Sequence, residues 1–263
     1  MDKFQGRRPF AKRKERFSGS TGHLRKIKRS LLGVLLLFLL VWTSVTFINS
    51  DLFCLELINI MGNSHTPATE VRYALQIEEG ENIWKISTEL LEERVLSIPR
   101  VETVEITRDL PSTLNVIITE RPVLALVPYQ EYLLEVGTNG QILGTTQDTQ
   151  LYDVPLITGV VPVAGTVGQV LLSAESLQRV EEVGQAMRAV GVVISEINLA
   201  QEENVVVITM EGVVVWLGTK DFAEKADILV QIVGKLSGRQ GEGYLDLRVA
   251  SAPAFHILKT AEF

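Results

Sequence analysis

The sequence contains a single cysteine, Cys54, and only three histidines. One cysteine cannot form an intramolecular disulfide, so the folded parts depend on packed apolar cores. The histidines, His23, His65 and His256, are too scattered for their spacing to suggest a zinc site. The chain also lacks an H-E-x-x-H motif, a P-loop, a dinucleotide fingerprint and a G-x-S-x-G elbow. We therefore expect no catalytic residue, no cofactor and no metal ion.

Two features of the sequence could still belong to an enzyme, which is therefore retained as an alternative. Cys54 is a potential nucleophile, but the neighbouring sequence contains no evident base, and we interpret it as a small apolar residue. Glu78, Glu79 and Glu81 form an acidic loop, but carboxylates in a solvated loop are not expected to separate their pKa values as an acid-base pair requires. Activity in residues 51–263 alone would favour a membrane-anchored wall enzyme over a binding protein.

Charge is absent from Ser30 to Ser50, and 18 residues of this stretch, Leu31 to Ile48, are almost entirely apolar. At about 1.5 Å per helical residue they reach roughly 27 Å, close to the thickness of a bilayer's hydrocarbon core. The sequence predicts a transmembrane helix at 31–50. A cleaved secretory signal is the alternative, but no Ala-x-Ala site follows Ile48.

The charges on either side of this stretch are unequal. Residues 1–30 contain eleven Lys or Arg and two acidic residues, whereas residues 31–263 contain 14 basic and 30 acidic residues. Basic flanks are retained in the cytoplasm, so we predict a single-pass type II protein of the cell membrane with a cytoplasmic N-terminus. The basic tail at 1–30 is interpreted as a disordered topology signal that contacts membrane lipid, with no nucleic acid as partner.

The segment after the membrane reads as strand, helix, helix, strand, strand. A β-prone run from Leu55 ends at Gly62 and Asn63, and Thr66 and Pro67 are predicted as the N-cap and first residue of a helix. A second helix is expected from about Ser87. Residues expected to face inward in these elements are Val71, Ala74, Leu75, Ile86, Leu90, Leu91, Val104, Ile106, Leu114, Val116 and Ile118.

The remaining sequence predicts a second mixed domain. A hairpin at 132–143 turns through Asn139 and Gly140, and a stronger hairpin at 205–218 turns at Glu211 and Gly212. Two amphipathic helices are predicted. One has an apolar stripe of Leu177, Val180, Val183, Met187 and Val190, and the other has a stripe of Phe222, Ala226, Leu229, Val233 and Leu236 and ends at Gly238. A final strand is predicted at Tyr244–Val249.

Several short motifs occur in order after the predicted membrane helix. They are L-x-x-I-x-I-x-G-N ending at Asn63, then R-x-x-P-x-x-L and E-R-P, followed in the second segment by Y-L-D-L-R. Together they resemble the POTRA domain and the β-domain of the FtsQ/DivIB bacterial division proteins, over roughly residues 52–250. The motif residues of the POTRA part are Gly62, Asn63, Pro99, Val101, Arg108, Pro111, Leu114, Glu120 and Pro122. The sequence departs from many relatives at Arg100, where they have an aromatic residue.

The resemblance implies a fold, a function and partners. The fold is α+β, with a single transmembrane helix, a βααββ POTRA domain at 52–122, an FtsQ-type β-domain with an antiparallel sheet at 123–250, and a C-terminal tail at 251–263. The function is a divisome scaffold, expected at the division septum, that binds FtsB/DivIC-like and FtsL-like single-span proteins and links division-site assembly to septal wall synthesis. The family's terminal strand is an open edge, which implies partner-binding residues Tyr244, Leu245, Asp246, Leu247, Arg248, Val249, Ala250 and Ser251.

Each of these features also has a purely structural interpretation. The POTRA motif residues are expected mainly as turn formers and core residues, and Tyr244–Val249 is alternatively an ordinary strand whose edge faces solvent. A POTRA-bearing envelope transport or assembly factor is the rival function, although neither repeated POTRA units nor a barrel's worth of strands is visible in the sequence.

Overall fold

The structure is a computed structural model that describes residues 21–78, 80–148, 151–162, 164–235 and 243–257 of the chain. Residues 1–20 of the predicted 1–30 tail, Glu79 of the acidic loop, the predicted helix end at Leu236 and Gly238, and the last residues at 258–263 lie outside the described residues. Helix α1 (Thr21–Ile48) opens the described part and is followed by a short 3-10 turn at Asp51–Phe53.

Helix α1 contains the apolar stretch that the sequence predicts to span a membrane. The segment Ser30–Ile48 has a mean hydropathy of 2.5 and is long enough to cross a bilayer. The helix begins at Thr21, so residues 21–30 differ from the predicted disordered tail. Elongation of an existing helix fixes one residue for each added hydrogen bond and avoids the cost of nucleation, which explains why the helix extends into the basic flank.

The first domain follows helix α1. Its elements are β1 (Leu57–Met61), α2 (Ala68–Leu75), α3 (Thr88–Leu96), β2 (Val101–Asp109) and β3 (Thr113–Glu120). The three strands form a sheet in the order β1-β3-β2, with β1 parallel and β2 antiparallel to the central β3. The βααββ arrangement confirms the expected POTRA topology.

Apolar residues on one face of this sheet and on the two helices form the core of the first domain. Leu114, Val116 and Ile118 alternate along β3 and are fully buried, as predicted, beside Val71 and Leu75 of α2. Two details of the prediction are wrong. Leu90 is exposed, because α3 turns only Leu91 and Val95 to the core, and Pro67 is the N-cap rather than the first residue of α2.

The second domain is built around one nine-stranded sheet. Its strands are β4 (Val123–Tyr129), β5 (Tyr132–Gly137), β6 (Ile142–Thr146), β7 (Leu156–Thr158), β8 (Ile194–Gln201), β9 (Asn204–Thr209), β10 (Val214–Gly218), β11 (Gly243–Asp246) and β12 (Ala254–Ile257). Their order is β12-β11-β10-β9-β8-β7-β4-β5-β6. The sheet is mainly antiparallel, and its parallel pairs join β10 to β11, β7 to β8 and β4 to β7.

Two helices, α4 (Ala174–Ala189) and α5 (Phe222–Val233), cover one face of this sheet. Val183 and Met187 of α4 and Ala226 and Leu229 of α5 are buried in the same core as the inward-facing strand residues. The predicted helical stripes are therefore confirmed as core. The α+β fold class expected from the sequence is confirmed as well.

The end of the chain differs from the expectation. Residues 251–263 were predicted as a tail, but Ala254–Ile257 form strand β12, which pairs antiparallel with β11. The predicted last strand, Tyr244–Val249, is shorter: β11 ends at Asp246, and a turn at 248–252 leads into β12.

Candidate partner-binding surface

The motif residues of the first domain hold its backbone together. Gly62 has φ +84°, and a Cβ atom at this position would lie 2.0 Å from the carbonyl oxygen of Ile118, so only glycine fits the turn after β1. Glu120, from the E-R-P motif, accepts hydrogen bonds from the backbone N–H groups of Ser64, His65 and Thr66 at 2.7–2.9 Å. The carboxylate thereby fixes the entry to α2 against the end of β3.

The environment of Glu120 lowers the pKa of its carboxyl group. Burial alone would raise the pKa, but the N–H donors of Thr66 and His65 outweigh it and lower the value to about 2. His65 also lies within ion-pair distance, with Nδ1 3.1 Å from Oε2. Glu120 is thus a structural anion at neutral pH.

Arg108, Pro111 and Leu114, the second motif, have structural roles too. Arg108 donates from Nε to the carbonyl oxygen of Ile83 at 3.0 Å and from Nη2 to that of Ile86 at 2.6 Å. It therefore holds the segment before α3 against β2. Pro111 lies in the turn between β2 and β3, and Leu114 is fully buried.

Asn63 donates its side-chain amide to the carbonyl oxygen of Thr66 at 3.1 Å, within the turn after β1. The other three motif residues lie at or next to the junction of the two domains. Val101 is buried at the start of β2, and Pro99 lies close to Gly168 of the second domain. Exposed Pro122 separates β3 from β4. Arg121, beside it, donates to the carbonyl oxygens of Pro99 and Val101 at 3.4 Å.

Arg100, the departure from the family pattern, makes the main polar contact of this junction. Its guanidinium forms an ion pair with Glu135 of β5, and the two side chains are only 11% and 6% exposed. The hydroxyl of Tyr152 donates to the second oxygen of Glu135 at 3.0 Å. Because burying an unpaired charge is costly, this network fixes how the turn between α3 and β2 meets the second sheet.

The predicted partner-binding residues lie at the far end of the large sheet. Strand β11 pairs with β10 on one side, Leu245 opposite Val215, and with β12 on the other, Leu245 opposite Phe255. Gly243 allows this second pairing, since a Cβ atom there would lie 1.9 Å from the carbonyl oxygen of His256. The expectation that Tyr244–Val249 forms the open edge is therefore wrong, because residues of the same chain already satisfy that edge; the outer strand is β12.

The predicted partner-binding residues divide between core, sheet face and turn. Leu245 and Leu247 are buried in the domain core, and Leu247 donates its backbone N–H to the carbonyl oxygen of Trp216 at 2.9 Å. Tyr244 and Asp246 are half-buried on the opposite face. The turn residues after them are more accessible: Arg248, Val249 and Ser251 are exposed and Ala250 is half-buried.

A row of stacked side chains crosses the three outer strands on that face. The ring of Tyr244 stacks on Trp216 at 4.2 Å and on His256 at 5.0 Å, and the Arg248 guanidinium lies 4.8 Å from the centre of the Trp216 ring. We call Arg248, Trp216, Tyr244 and His256 the stacked row. Its side chains connect β10, β11 and β12 on one face of the sheet and thereby stabilise the position of β12.

Asp246 fixes the arginine of the stacked row. It accepts from Arg248 Nη2 at 2.6 Å and from Nε at 3.0 Å. These hydrogen bonds lower the pKa of the Asp246 carboxyl, so the pair is charged at neutral pH. The guanidinium is thereby held near the Trp216 ring, although the side chain is 48% exposed.

The sequence reasoning missed the residues of the actual edge, Phe255, His256 and Ile257. Phe255 is half-buried and packs against the domain core, whereas Ile257 is 65% exposed. The available signal was the apolar alternation of Phe255 and Ile257 after Pro253, but a four-residue run is too short to separate a strand from a tail by periodicity. Among the described residues, no group of three or more His, Cys, Asp or Glu side chains is arranged to hold a metal ion.

Comparisons with known proteins agree with this architecture. Residues 53–121 match the family described as "POTRA domain, FtsQ-type", and residues 125–248 match "Cell division protein FtsQ/DivIB, C-terminal". The two matches correspond to the two sheets and together cover more than half of the chain.

Individual relatives are division proteins of several bacteria. A DivIB from Staphylococcus aureus is 31% identical over 102 residues, which are 39% of this chain and 23% of that protein. The match thus spans less than a quarter of that relative. FtsQ of Myxococcus fulvus is 26% identical over 76% of this chain and 72% of its own length, and DivIB of Bacillus subtilis is 22% identical over 86% and 84%.

The solved structures that match the chain include the major extracytoplasmic domain of DivIB from Geobacillus stearothermophilus. It is 22% identical and covers 45% of this chain and 95% of that chain with a TM-score of 0.31.

Proposed function

Because the chain belongs to the FtsQ/DivIB family of cell-division proteins, we propose that it is a non-enzymatic, membrane-anchored scaffold of the divisome. It binds FtsB/DivIC-like and FtsL-like single-span proteins and thereby links division-site assembly to septal wall synthesis. The observation that carries the proposal is the outer edge of β12, where the large sheet ends in a short, largely exposed strand.

The proposed mode of binding is addition of a partner strand to β12. An edge strand presents backbone N–H and C=O groups that an incoming β-segment can satisfy. Ile257 offers apolar surface beside this edge, and Val249 offers more in the turn that precedes it. The partner is therefore a chain with a short β-prone segment and an apolar side chain that reaches Ile257.

The membrane anchor makes such a small edge sufficient. Helix α1 confines the binding domain to the layer next to the bilayer, where single-span partners are confined as well. Confinement raises the effective concentration of the two chains without any additional contact. In this proposal the basic N-terminus is cytoplasmic and both domains lie on the opposite side, as the charge asymmetry favours.

The first domain provides a second docking surface in this proposal. Strand β2 is an outer strand of the three-stranded sheet, and its side chains Glu102, Thr103, Glu105 and Thr107 are exposed. An edge of this polar character suits a partner strand carrying basic residues.

Two variants of β12 test the proposed mode in the full chain reconstituted in nanodiscs. Truncation after Ser251 removes β12, and Gly243→Ala forces β12 away from β11 through the clash with the His256 carbonyl. The purified FtsB/DivIC-like protein of the same genome serves as the probe. Gly234→Ala is the matched control, since Gly234 has helical dihedral angles and open space around its Cβ position.

We expect both β12 variants to bind the probe several-fold more weakly than the parent chain and the G234A control to bind it unchanged. Unchanged binding by the truncated chain would show that β12 is not the template. Tighter binding would show that the partner replaces β12 on β11. Thermal melting of each variant separates loss of the edge from loss of the domain.

The septal location has its own test in dividing cells. A fluorescent fusion of the full chain is expected to form a midcell band during constriction. Even labelling of the envelope in constricting cells would contradict the divisome role.

A further inference from the structure

The first domain is joined to the end of the membrane helix by more than the connecting chain. The side-chain amide of Asn82 donates to the carbonyl oxygen of Ile48, the last residue of α1, at 2.7 Å. The terminal carbonyl groups of a helix have no partner within the helix, so this bond satisfies one of them. It places the loop Glu81–Lys85 directly at the point where α1 ends.

Aromatic side chains extend the same connection. Phe47 in the last turn of α1 packs edge-on against Phe53 at 5.3 Å, and Phe53 packs against Trp84 of the loop at 5.9 Å. The backbone repeats the link, because Ile83 donates its N–H to the carbonyl oxygen of Phe53 at 2.8 Å. A second backbone bond joins the N–H of Leu55 to the carbonyl oxygen of Glu81 at 2.9 Å. The loop is therefore held beside the end of α1 by one side-chain bond, two backbone bonds to the segment after α1 and a continuous row of three rings.

Large apolar side chains remain uncovered at this place. Trp84 is 47% exposed and Leu52 is 55% exposed, although both lie next to buried Phe53. Their neighbours Asp51 and Lys85 are exposed and charged. An indole that contacts a buried aromatic ring, is about half exposed and is bordered by charged groups is the arrangement that membrane-water interfaces favour.

We propose that Trp84 and Leu52 form a lipid-contact surface, with the Trp84 indole lying in the headgroup region of the leaflet at which α1 ends. The occupant is lipid rather than protein because the surface continues directly from the apolar helix: Phe47, the first of the three rings, belongs to the span itself. The contact fixes the tilt of the first domain on the bilayer, which a single flexible connection would leave free. The proposal rests on α1 crossing the membrane.

The three tryptophans of the chain make the test possible without introducing new residues. Trp42 lies inside the span, Trp84 in the loop and Trp216 in the second domain. Paired Trp→Phe substitutions give three full-length proteins, each with one native tryptophan. Each is reconstituted into phosphatidylcholine vesicles whose acyl chains carry bromine either near the carbonyl end or near the methyl end, and quenching of the indole emission is measured.

The proposal predicts a different depth for each tryptophan. Trp84 is quenched several-fold more than Trp216, and more by bromine near the carbonyl end than by bromine near the methyl end. Trp42 lies about 9 Å from the end of α1, at about 1.5 Å for each of six residues. Bromine near the methyl end therefore quenches Trp42 more than it quenches Trp84. Circular dichroism confirms that the three proteins keep the same fold.

Failure of the lipid contact and failure of the anchor give different results. If Trp42 is quenched and Trp84 matches Trp216, the lipid contact is overturned while the anchor stands, and the exposed loop is then a surface for a protein partner. If neither Trp42 nor Trp84 is quenched, α1 does not span the bilayer, and both the anchor and the lipid contact are overturned.

Discussion

The junction between the two domains and the far end of the large sheet are both held by an arginine and a carboxylate, but in opposite surroundings. Arg100 and Glu135 are excluded from water between the domains, whereas Arg248, paired with Asp246, is 48% exposed beside the outermost strands. A buried pair resists separation because each charge left alone is costly, while an exposed pair contributes little to stability. The buried pair thus makes the junction rigid, whereas the exposed pair leaves the sheet end accessible to solvent and to other molecules.

Breaking the junction pair is expected to have the largest effect. Glu135→Ala leaves the Arg100 guanidinium buried without a counter-charge and removes the acceptor of Tyr152, which should cost about 3 kcal/mol of unfolding free energy. Urea unfolding of the full chain in detergent micelles measures this loss. The control is Glu175→Ala, which removes the exposed ion pair with Arg179 on α4 and should cost about 0.3–0.5 kcal/mol. Equal losses in the two variants would contradict a rigid junction.

The second prediction concerns pH and the turn held by Glu120. The pKa of this carboxyl falls from 4.5 to about 2 on folding, so its contribution is complete above about pH 4.5 and is lost as the pH falls toward 2. We expect a contribution on the order of 2 kcal/mol at neutral pH, since one pKa unit corresponds to about 1.4 kcal/mol and part of the group is exposed. The parent chain should lose this stability between pH 4.5 and 2, whereas Glu120→Gln should already lack it at pH 7. Urea unfolding at a series of pH values measures the free energy of unfolding of both proteins. If the two values fall in parallel between pH 4.5 and 2, Glu120 does not have this role.

Arg108 should have a smaller effect. Arg108→Met keeps most of the apolar stem but removes the donors to the carbonyl oxygens of Ile83 and Ile86, for an expected loss of about 1–2 kcal/mol. Thermal unfolding in micelles provides the measurement. Because these carbonyls belong to the segment next to Trp84, the variant should also loosen the loop that carries Trp84. A stability equal to that of the parent would mean that water replaces the guanidinium without cost.

These contacts show where reasoning from sequence succeeds and where it stops. Alternation along β3 predicted Leu114, Val116 and Ile118 as core, because every second side chain of a strand points to the same face of the sheet. The Arg100–Glu135 pair joins positions that no local period connects, so the sequence marked Arg100 only as a departure from its relatives. Leu90 was misplaced because three apolar residues near one helix turn allow more than one buried face.

The edge of the large sheet was predicted only in part. The Y-L-D-L-R motif directed attention to the end of the sheet at which we propose that a partner binds, and Tyr244 and Arg248 lie in its stacked row. The edge itself was misassigned because β12 is four residues long and depends on Gly243 for close approach of its backbone. A fit between two backbones is a tertiary property with no periodic signal.

The smallest effect on stability is expected at the sheet end. Arg248→Ala removes the guanidinium from the Trp216 ring and from Asp246 but leaves the buried residues Leu245 and Leu247 in place. The melting temperature should change less than in any variant above. Binding of the FtsB/DivIC-like partner should fall measurably, since the variant removes one end of the stacked row and leaves only Trp216, Tyr244 and His256 to support β12. A large loss of stability would place Arg248 with the junction residues and erase the contrast between the two regions.

Hydrogen exchange at β12 tests the central claim most directly. The full chain in nanodiscs is measured alone and with the FtsB/DivIC-like partner, and the amides of Ala254–Ile257 are compared with those of Ile142–Thr146 at the opposite edge of the same sheet. If a partner strand extends the sheet, the amides of β12 gain protection and those of β6 do not change. Loss of protection at Ala254–Ile257, or no change there at saturating partner, would contradict the account.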